Sequence, residues 1–363
     1  MNNDAFVKNV ASLLIEQIRN GTAPWQKPWR PGTSFLPFNP TNGTRYKGIN
    51  VINLLARGHS DARWMTYRQA QTKGYQVRRG EKGTQVQYWR FDEERKIKDS
   101  NGRPVIDANG EPHTEKVRLE RPQVFIAYVF NAEQIEGVPP ATSRECSWNP
   151  LEKAEQLVQA ANPKLQHGAG DRAYYRPSTD SIHLPLKEQF PSAENYYSTL
   201  LHELGHWTGH ATRLNRDLSD PFGSIGYARE ELRAEIASMI IGSELGIGYD
   251  PDQHAAYAAS WVQILENQAL EIFRAAADGE KIHTYLQTLQ QQQSVSREEL
   301  QVDKSEIIKE YDRLVDGPAA RQWLEKERPS LVAARDQAIV ELRREKLQKE
   351  TAEKPHKVAR VRR

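Results

Sequence analysis

Residues 194–211 read ENYYSTLLHELGHWTGHA. Tyr196, Tyr197, Leu200, Leu201 and Leu204 recur close to helical spacing, so the segment predicts a helix with one packed face. His202 and His206 stand four residues apart, one turn of that helix, and their imidazoles project from the same side. Two imidazoles so placed can hold one cation at about 2.0–2.1 Å each. Glu203 lies beside them and reads as the catalytic base. A cation lowers the pKa of a water it binds towards ~7, and a neighbouring carboxylate can take that proton and pass it to a leaving amine. Five-residue matches of this kind occur by chance, so the apolar face and the strand expected before the helix give the pattern its weight.

A metal that does chemistry needs a third protein ligand and one open position. A third His six residues after His206 is one way to supply it, but Thr212 stands there. His210, one turn past His206, is too far along the helix to join the same ion and reads as a capping or packing residue. The other way is a Glu from a later helix. In Tyr227–Glu235, Glu231 and Glu235 share a face at i, i+4. Glu231 reads as the third ligand and Glu235 as an acceptor from a metal-bound His. Arg229 and Glu230 are expected to point to solvent. The plainer reading of the pair is a solvated helix face. His183 sits on a strand beside the cleft, as groove lining or as an ordinary strand residue. Tyr174, Tyr175 and Tyr257 are either hydrogen-bond donors to a reacting group or core, and Trp207 and Trp261 read as packing. Two His and one Glu favour Zn2+, with Mn2+ or another divalent ion open.

Working outward, the chain has 363 residues, a length that favours two domains over one. Cys146 is the only cysteine, which excludes an intrachain disulfide and a metal site of several thiolates. No window approaches the ~18 apolar residues of a membrane span. The N-terminus, interrupted by Lys8, Glu16, Gln17 and Arg19, makes a poor secretion signal. Cytoplasmic location and no membrane partner are the expectations.

Helical spacing predicts helices over 4–20, 48–57, 66–73, 151–162, 194–211, 227–245 and about 253–278. Strands are expected at Tyr75–Arg78, Thr84–Arg90, Val124–Asn131, Ala173–Arg176 and Ser181–Leu184, with 91–121 as a charged, exposed excursion. The Pro-, Ser- and Thr-rich stretch 139–150 marks a linker between 1–138 and 151–287. From 288 to 363 the composition predicts a helical charged tail with a basic, disordered end at Lys354–Arg363. The fold class is α+β: a mixed α/β first half, then a mainly helical second half with a small sheet.

Charge is spread unevenly. Residues 1–90 hold 14 Lys/Arg against 4 Asp/Glu, an excess of ten, so a chain of net +2 leaves −8 for the rest. Basic and aromatic residues interleave there: Trp25, Lys27 and Trp29, then Arg45, Tyr46 and Lys47, then Arg63 and Trp64, then Arg78, Arg79 and Lys82, with Tyr88-Trp89-Arg90 behind. Cations that track phosphates and rings that stack on unpaired bases make a single-stranded-DNA interface. The competing reading puts the tryptophans in the core and the cations on a solvated face.

At these residues the chain resembles the ArdC-type antirestriction proteins of conjugative plasmids. The N-terminal marks are Pro24-Trp25, Lys27-Pro28-Trp29, Tyr46-Lys47-Gly48-Ile49-Asn50, Trp64-Met65-Thr66-Tyr67, Val77–Gly83 and Val129–Gln134. The C-terminal marks are Asp180–Pro185, His202–His210 and Glu230–Glu235. The N-terminal module also resembles part of plasmid TraC primases. The resemblance implies a single-stranded-DNA-binding domain joined to a zincin-like metallopeptidase domain, with His202, His206 and Glu231 as ligands and Glu203 as catalytic base. It implies protection of incoming DNA from restriction during conjugation, with single-stranded DNA and a host protein or restriction complex as partners. The alternative is a non-enzymatic binder of single-stranded DNA whose metal is structural. A metal-dependent nuclease fits less well, because two-metal nucleases use clustered carboxylates.

Overall fold

The computed structural model describes residues 3–26, 36–98, 103–106, 110–141, 149–168, 170–247, 257–314, 325–326 and 329–352. The chain divides into two compact units, Met1–Gln287 and Thr288–Arg363.

The first unit begins with α1 (Asn3–Arg19), which Asn20-Gly21 closes with Gly21 at positive φ. Its stripe Phe6, Val7, Val10, Leu14 and Ile18 is buried. That stripe joins a core shared with residues far along the chain: Trp25, Ile49 and Ile52 pack with Leu232, Ile236, Trp261, Ile264 and Ile272. Trp25 meets Trp261 edge-to-face at 6.2 Å between centroids. The two halves of this unit are therefore built on one hydrophobic core.

Helix α2 (Ile49–Leu55) and α3 (Tyr67–Thr72) flank a small sheet. The sheet runs in the order β1 (Trp64–Met65), β4 (Thr114–Asn131), β3 (Thr84–Lys96), all antiparallel. β2 (Gln76–Val77) and β5 (Ile135–Glu136) form a separate two-stranded ladder. Asn50 and Asn53 of α2 bond the β3 backbone at Gln87 and Gln85, covering that strand's outer edge. β3 and β4 run well into the charged, exposed 91–121 stretch. Cross-strand pairs hold it in register beyond a bulge at Arg90/Asp92, with Asp92 3.7 Å from Lys116 and 3.4 Å from Arg118.

The second half opens with α4 (Pro150–Ala161), capped by Asn149 and closed at Asn162 in the left-handed region. A three-stranded sheet follows, ordered β6 (Lys164–His167), β8 (Ser181–Leu184), β7 (Tyr174–Arg176). β8 is wholly buried at its centre, parallel to β6 and antiparallel to β7, which leaves β7 as an edge. α5 (Ala193–Trp207) starts at the Ser192 cap and stops four residues short of the expected end, since 208–215 turn back on the helix. α6 (Ile225–Leu245) runs from the Ser224 cap to Gly246 at positive φ, and 14 of its 21 residues are buried. It is therefore a central helix with almost no solvated face. The expected helix 253–278 is two elements, α7 (Ala258–Asn267) and α8 (Leu270–Leu314), broken at Gln268, where the backbone turns extended. In the second unit, α9 (Pro329–Ala352) carries Arg335 over the Tyr311 ring at 4.7 Å, with Tyr311 and Ala338 buried. The expected disordered end and most of the linker lie outside the described residues. No helix is long and apolar enough to cross a membrane among the described residues.

Candidate metal centre

α5 and α6 approach closely because Gly205 faces Ala234: a Cβ on Gly205 would lie 3.4 Å from the Ala234 Cα. That approach brings α6 carboxylates to the α5 histidines. His202 Nε2 and His206 Nε2 are 3.1 Å apart. Glu231 Oε2 lies 3.4 Å from His202 Nε2, and its Oε1 lies 3.4 Å from His206 Nε2. A tetrahedral centre with ligand arms of about 2.0–2.1 Å has edges of about 3.3–3.4 Å. One oxygen of Glu231 and one nitrogen of each histidine form a donor triangle whose atoms all lie within 4.8 Å of one another, close enough to hold one divalent ion, and two imidazoles with one carboxylate suit several first-row metals.

The outer nitrogens of both rings face carboxylates. His202 Nδ1 is 3.0 Å from Glu235 Oε2. His206 Nδ1 is 3.3 Å from Glu230 Oε1. Glu230 was expected in solvent and is instead buried, because α6 has no solvated side in this turn. Arg216 compensates its charge: Nη2 donates to Glu230 Oε1 at 2.7 Å and to the Gly205 carbonyl at 2.7 Å, and Nη1 donates to Thr208 Oγ1. Such partners orient metal-bound imidazoles. The Tyr227 hydroxyl is pushed up, first by burial and then by the Glu231 carboxylate.

Electrostatics follow from this packing. Burial works against charge on His206, but Glu231 and Glu230 outweigh it and raise its pKa to about 9. His202 is likewise raised, against burial, by Glu231 and Glu235. Glu231 and Glu230 are lowered, the attraction of the histidines overcoming burial. Glu203 is also buried, and burial holds its carboxyl above the ordinary range despite the pull of His206 and His202. The Tyr175 backbone of edge strand β7 also works to lower it. Tyr175 is fixed at its other end, where its hydroxyl donates to Asp180 at 2.8 Å, and Arg213 pairs with the same carboxylate. Arg213 also lies over the Trp207 ring at 3.8 Å.

His202, Glu203, His206, Glu230 and Glu231 line one cleft of about 430 Å³, together with residues of β7 and with Asp217, Phe222, Tyr227 and Tyr257. His183 is not among its lining residues: it stacks on Tyr174 at 4.6 Å and bonds Ser181, an ordinary strand residue. His210 lies past the helix end and bonds Thr212. Trp207 and Trp261 pack, the latter donating to the Ala228 carbonyl.

The basic aromatic set is dispersed. Trp25 and Trp64 are 0% and 1% exposed, so they are core and offer no ring face to a base. Tyr46 is half-buried and bonds the Trp64 carbonyl. Arg45 forks onto Glu280 at 2.6 and 2.9 Å, and Arg63 pairs with Asp61. Packing claims these residues, a distinction that sequence interleaving does not carry. Lys47, Arg78, Arg79 and Lys82 are exposed, Arg78 pairing with Glu81. Lys27 and Trp29 lie outside the described residues.

Two stretches of the chain match known families. Residues 4–130 match the N-terminal domain of anti-restriction factor ArdC, and residues 152–278 match a zincin-like metallopeptidase family. A DNA primase TraC of Escherichia coli is 62% identical over 291 residues, covering 79% of this chain and 27% of that protein. A second TraC primase of that species matches at the same identity over 20% of its length, so the chain spans about a quarter or less of these relatives. Protein y4eC of Sinorhizobium fredii is 34% identical over 305 residues, 81% of this chain and 94% of that one. The metal-free crystal structure of the antirestriction ArdC protein from the R388 plasmid is 34% identical, with a TM-score of 0.61, covering 79% of this chain and 98% of that chain. The Mn(II)-bound structure of the same protein aligns with a TM-score of 0.60. With the domain order, the identity and near-complete coverage of that protein in hand, the chain belongs to the ArdC family of antirestriction proteins.

Proposed function

We propose that this protein binds single-stranded DNA and protects incoming DNA from restriction during conjugation, and that its metal centre is built for hydrolysis of a peptide bond. The observation that carries the hydrolytic part is Glu203: a carboxylate buried beside the donor triangle, on the wall of an open cleft. A purely structural centre is closed by protein ligands on every side and has no use for such a group.

His202, His206 and Glu231 would hold the ion, with Zn2+ the first choice on donor type and Mn2+ the second. When bound, a divalent ion supplies Lewis acidity to a carbonyl and makes a water acidic near neutral pH. The chain's own residues do the rest. Glu203, raised by burial, is placed to take a proton and deliver it to the leaving nitrogen. Edge strand β7 offers backbone groups along the cleft to an extended chain. Tyr257, which also lines the cleft, is a hydroxyl donor for a developing oxyanion. A host protein or a component of a restriction complex is the expected class of substrate.

A second reading is favoured by the way the donor set ties α5 to α6 deep in the core: the metal stabilises the fold, and protection comes from coating DNA. The test is transfer of DNA into restricting recipients with Glu203→Ala, after the variant is verified to retain metal and DNA binding. Loss of protection supports hydrolysis. Full protection leaves the structural reading.

A further inference from the structure

The β3–β4 hairpin carries an exposed aromatic pair whose surroundings fit one ligand chemistry. Along one face of the hairpin the cross-strand pairs are Thr84/Val129, Val86/Ala127, Tyr88/Phe125 and Arg90/Gln123. Val86 and Val129 are buried against Leu54 and Trp64. One pair further out the cover ends: Tyr88 is 60% and Phe125 40% exposed. Their rings sit side by side at 6.5 Å between centroids. The Arg90 guanidinium lies over Phe125 at 4.8 Å and is described in no ion pair with a carboxylate. Of thirteen exposed large apolar residues described in the chain, seven fall between 88 and 128, along the β3–β4 hairpin and its connection.

We infer that Tyr88 and Phe125, with Arg90 beside them, form a stacking platform for unpaired bases of single-stranded nucleic acid. This rests on the DNA-binding part of the proposal above and gives that binding a place, one that the buried Trp25 and Trp64 do not provide. Three features select this occupant. Two π-faces in adjacent positions suit successive bases, whose faces a duplex hides. An arginine held by a ring rather than a carboxylate keeps its charge for a phosphate. Addition of a partner strand to β3 at this point is closed, because the Asn50 and Asn53 side chains already occupy the backbone at Gln87 and Gln85.

The test measures anisotropy of a labelled oligo(dT), and of a labelled duplex, with the full chain and three variants: Tyr88→Ala/Phe125→Ala, Tyr88→Phe and Arg90→Ala. Each variant is first matched to wild type in Tm and metal content. The double variant is expected to lose at least about tenfold in affinity for oligo(dT). Tyr88→Phe keeps wild-type affinity, since the ring remains. Arg90→Ala weakens binding and reduces the slope of log K against log salt by roughly one. Wild-type affinity in the folded double variant overturns the platform and leaves DNA binding elsewhere on the chain. An equal loss on duplex also overturns it, because stacking on unpaired bases is then not the cause. Failure of the wild type to bind oligo(dT) removes the underlying reading, and the platform with it.

Discussion

Glu230 Oε1 lies 3.3 Å from His206 Nδ1, on the side of the ring away from the donor triangle. With Glu235 behind His202, each histidine has a carboxylate of α6 at its back, and Arg216 holds the Glu230 carboxylate in place. One helix thus carries both the carboxylate beside the two rings and the two carboxylates behind them. Glu230→Ala is expected to lower Mn2+ affinity roughly 10- to 100-fold. Competition titration checks this, and affinity within twofold of wild type would mean that His206 needs no such partner.

Gly205 sets the distance over which those carboxylates reach. A Cβ there would sit in contact with Ala234, and a branched side chain would push α5 from α6. Gly205→Val is expected to destabilise the protein by about 1–3 kcal/mol and to weaken metal binding together with it. Denaturant unfolding of the metal-free protein and the same titration measure the two effects. Weaker metal binding with unchanged stability would contradict the packing argument.

Trp25 belongs to the core, edge-on to Trp261. Trp25→Ala should cost about 3–5 kcal/mol of stability. The smaller change Trp25→Phe should lower stability by less and leave affinity for single-stranded DNA unchanged in the folded protein. A large fall in DNA affinity at unchanged Tm would return this ring to the interface.

Acid stability has a local source at Glu133. Burial pushes its carboxyl up, but hydrogen bonds from the Ser60 hydroxyl, from His59 and from the Ser60 and Asp61 N–H groups prevail and bring it to about 2. A carboxyl whose folded pKa is depressed stabilises the fold fully above its unfolded value. That contribution fades as pH falls from about 4.5 towards 2. Glu133→Gln should therefore reduce stability at pH 7 and flatten its dependence on pH below 5. Unfolding curves across that range decide it, and parallel profiles for variant and wild type would remove Glu133 as the source.

The elements that carry the metal site were legible in the sequence because their signals are local. The His-Glu-x-x-His turn sits in an apolar helical stripe, and α6 ends at Gly246, while its start at the Ser224 cap lies before the expected 227. Glu230 was missed because its neighbour Glu231 was given the buried face, and a helix with one buried face leaves the next residue in water. The signal lay downstream: 236–243 hold no charge at all, the mark of a helix buried all round. Arg216 could be found only through tertiary contact, since it comes from the loop after α5. β6 went unseen because Lys164-Leu165-Gln166-His167 is short and mostly polar and pairs only with β8. The tryptophans were ambiguous for a related reason: alternation of rings and cations looks the same whether the rings turn in or out.

The most direct test of the account is the metal content of purified wild type, Glu231→Ala and Glu203→Ala, measured by elemental analysis after dialysis against Zn2+ or Mn2+. One divalent ion per chain is expected in wild type and in Glu203→Ala, with the ion lost from Glu231→Ala. An ion retained equally by Glu231→Ala, or absent from the folded wild type, would contradict the assignment of His202, His206 and Glu231 as a metal centre.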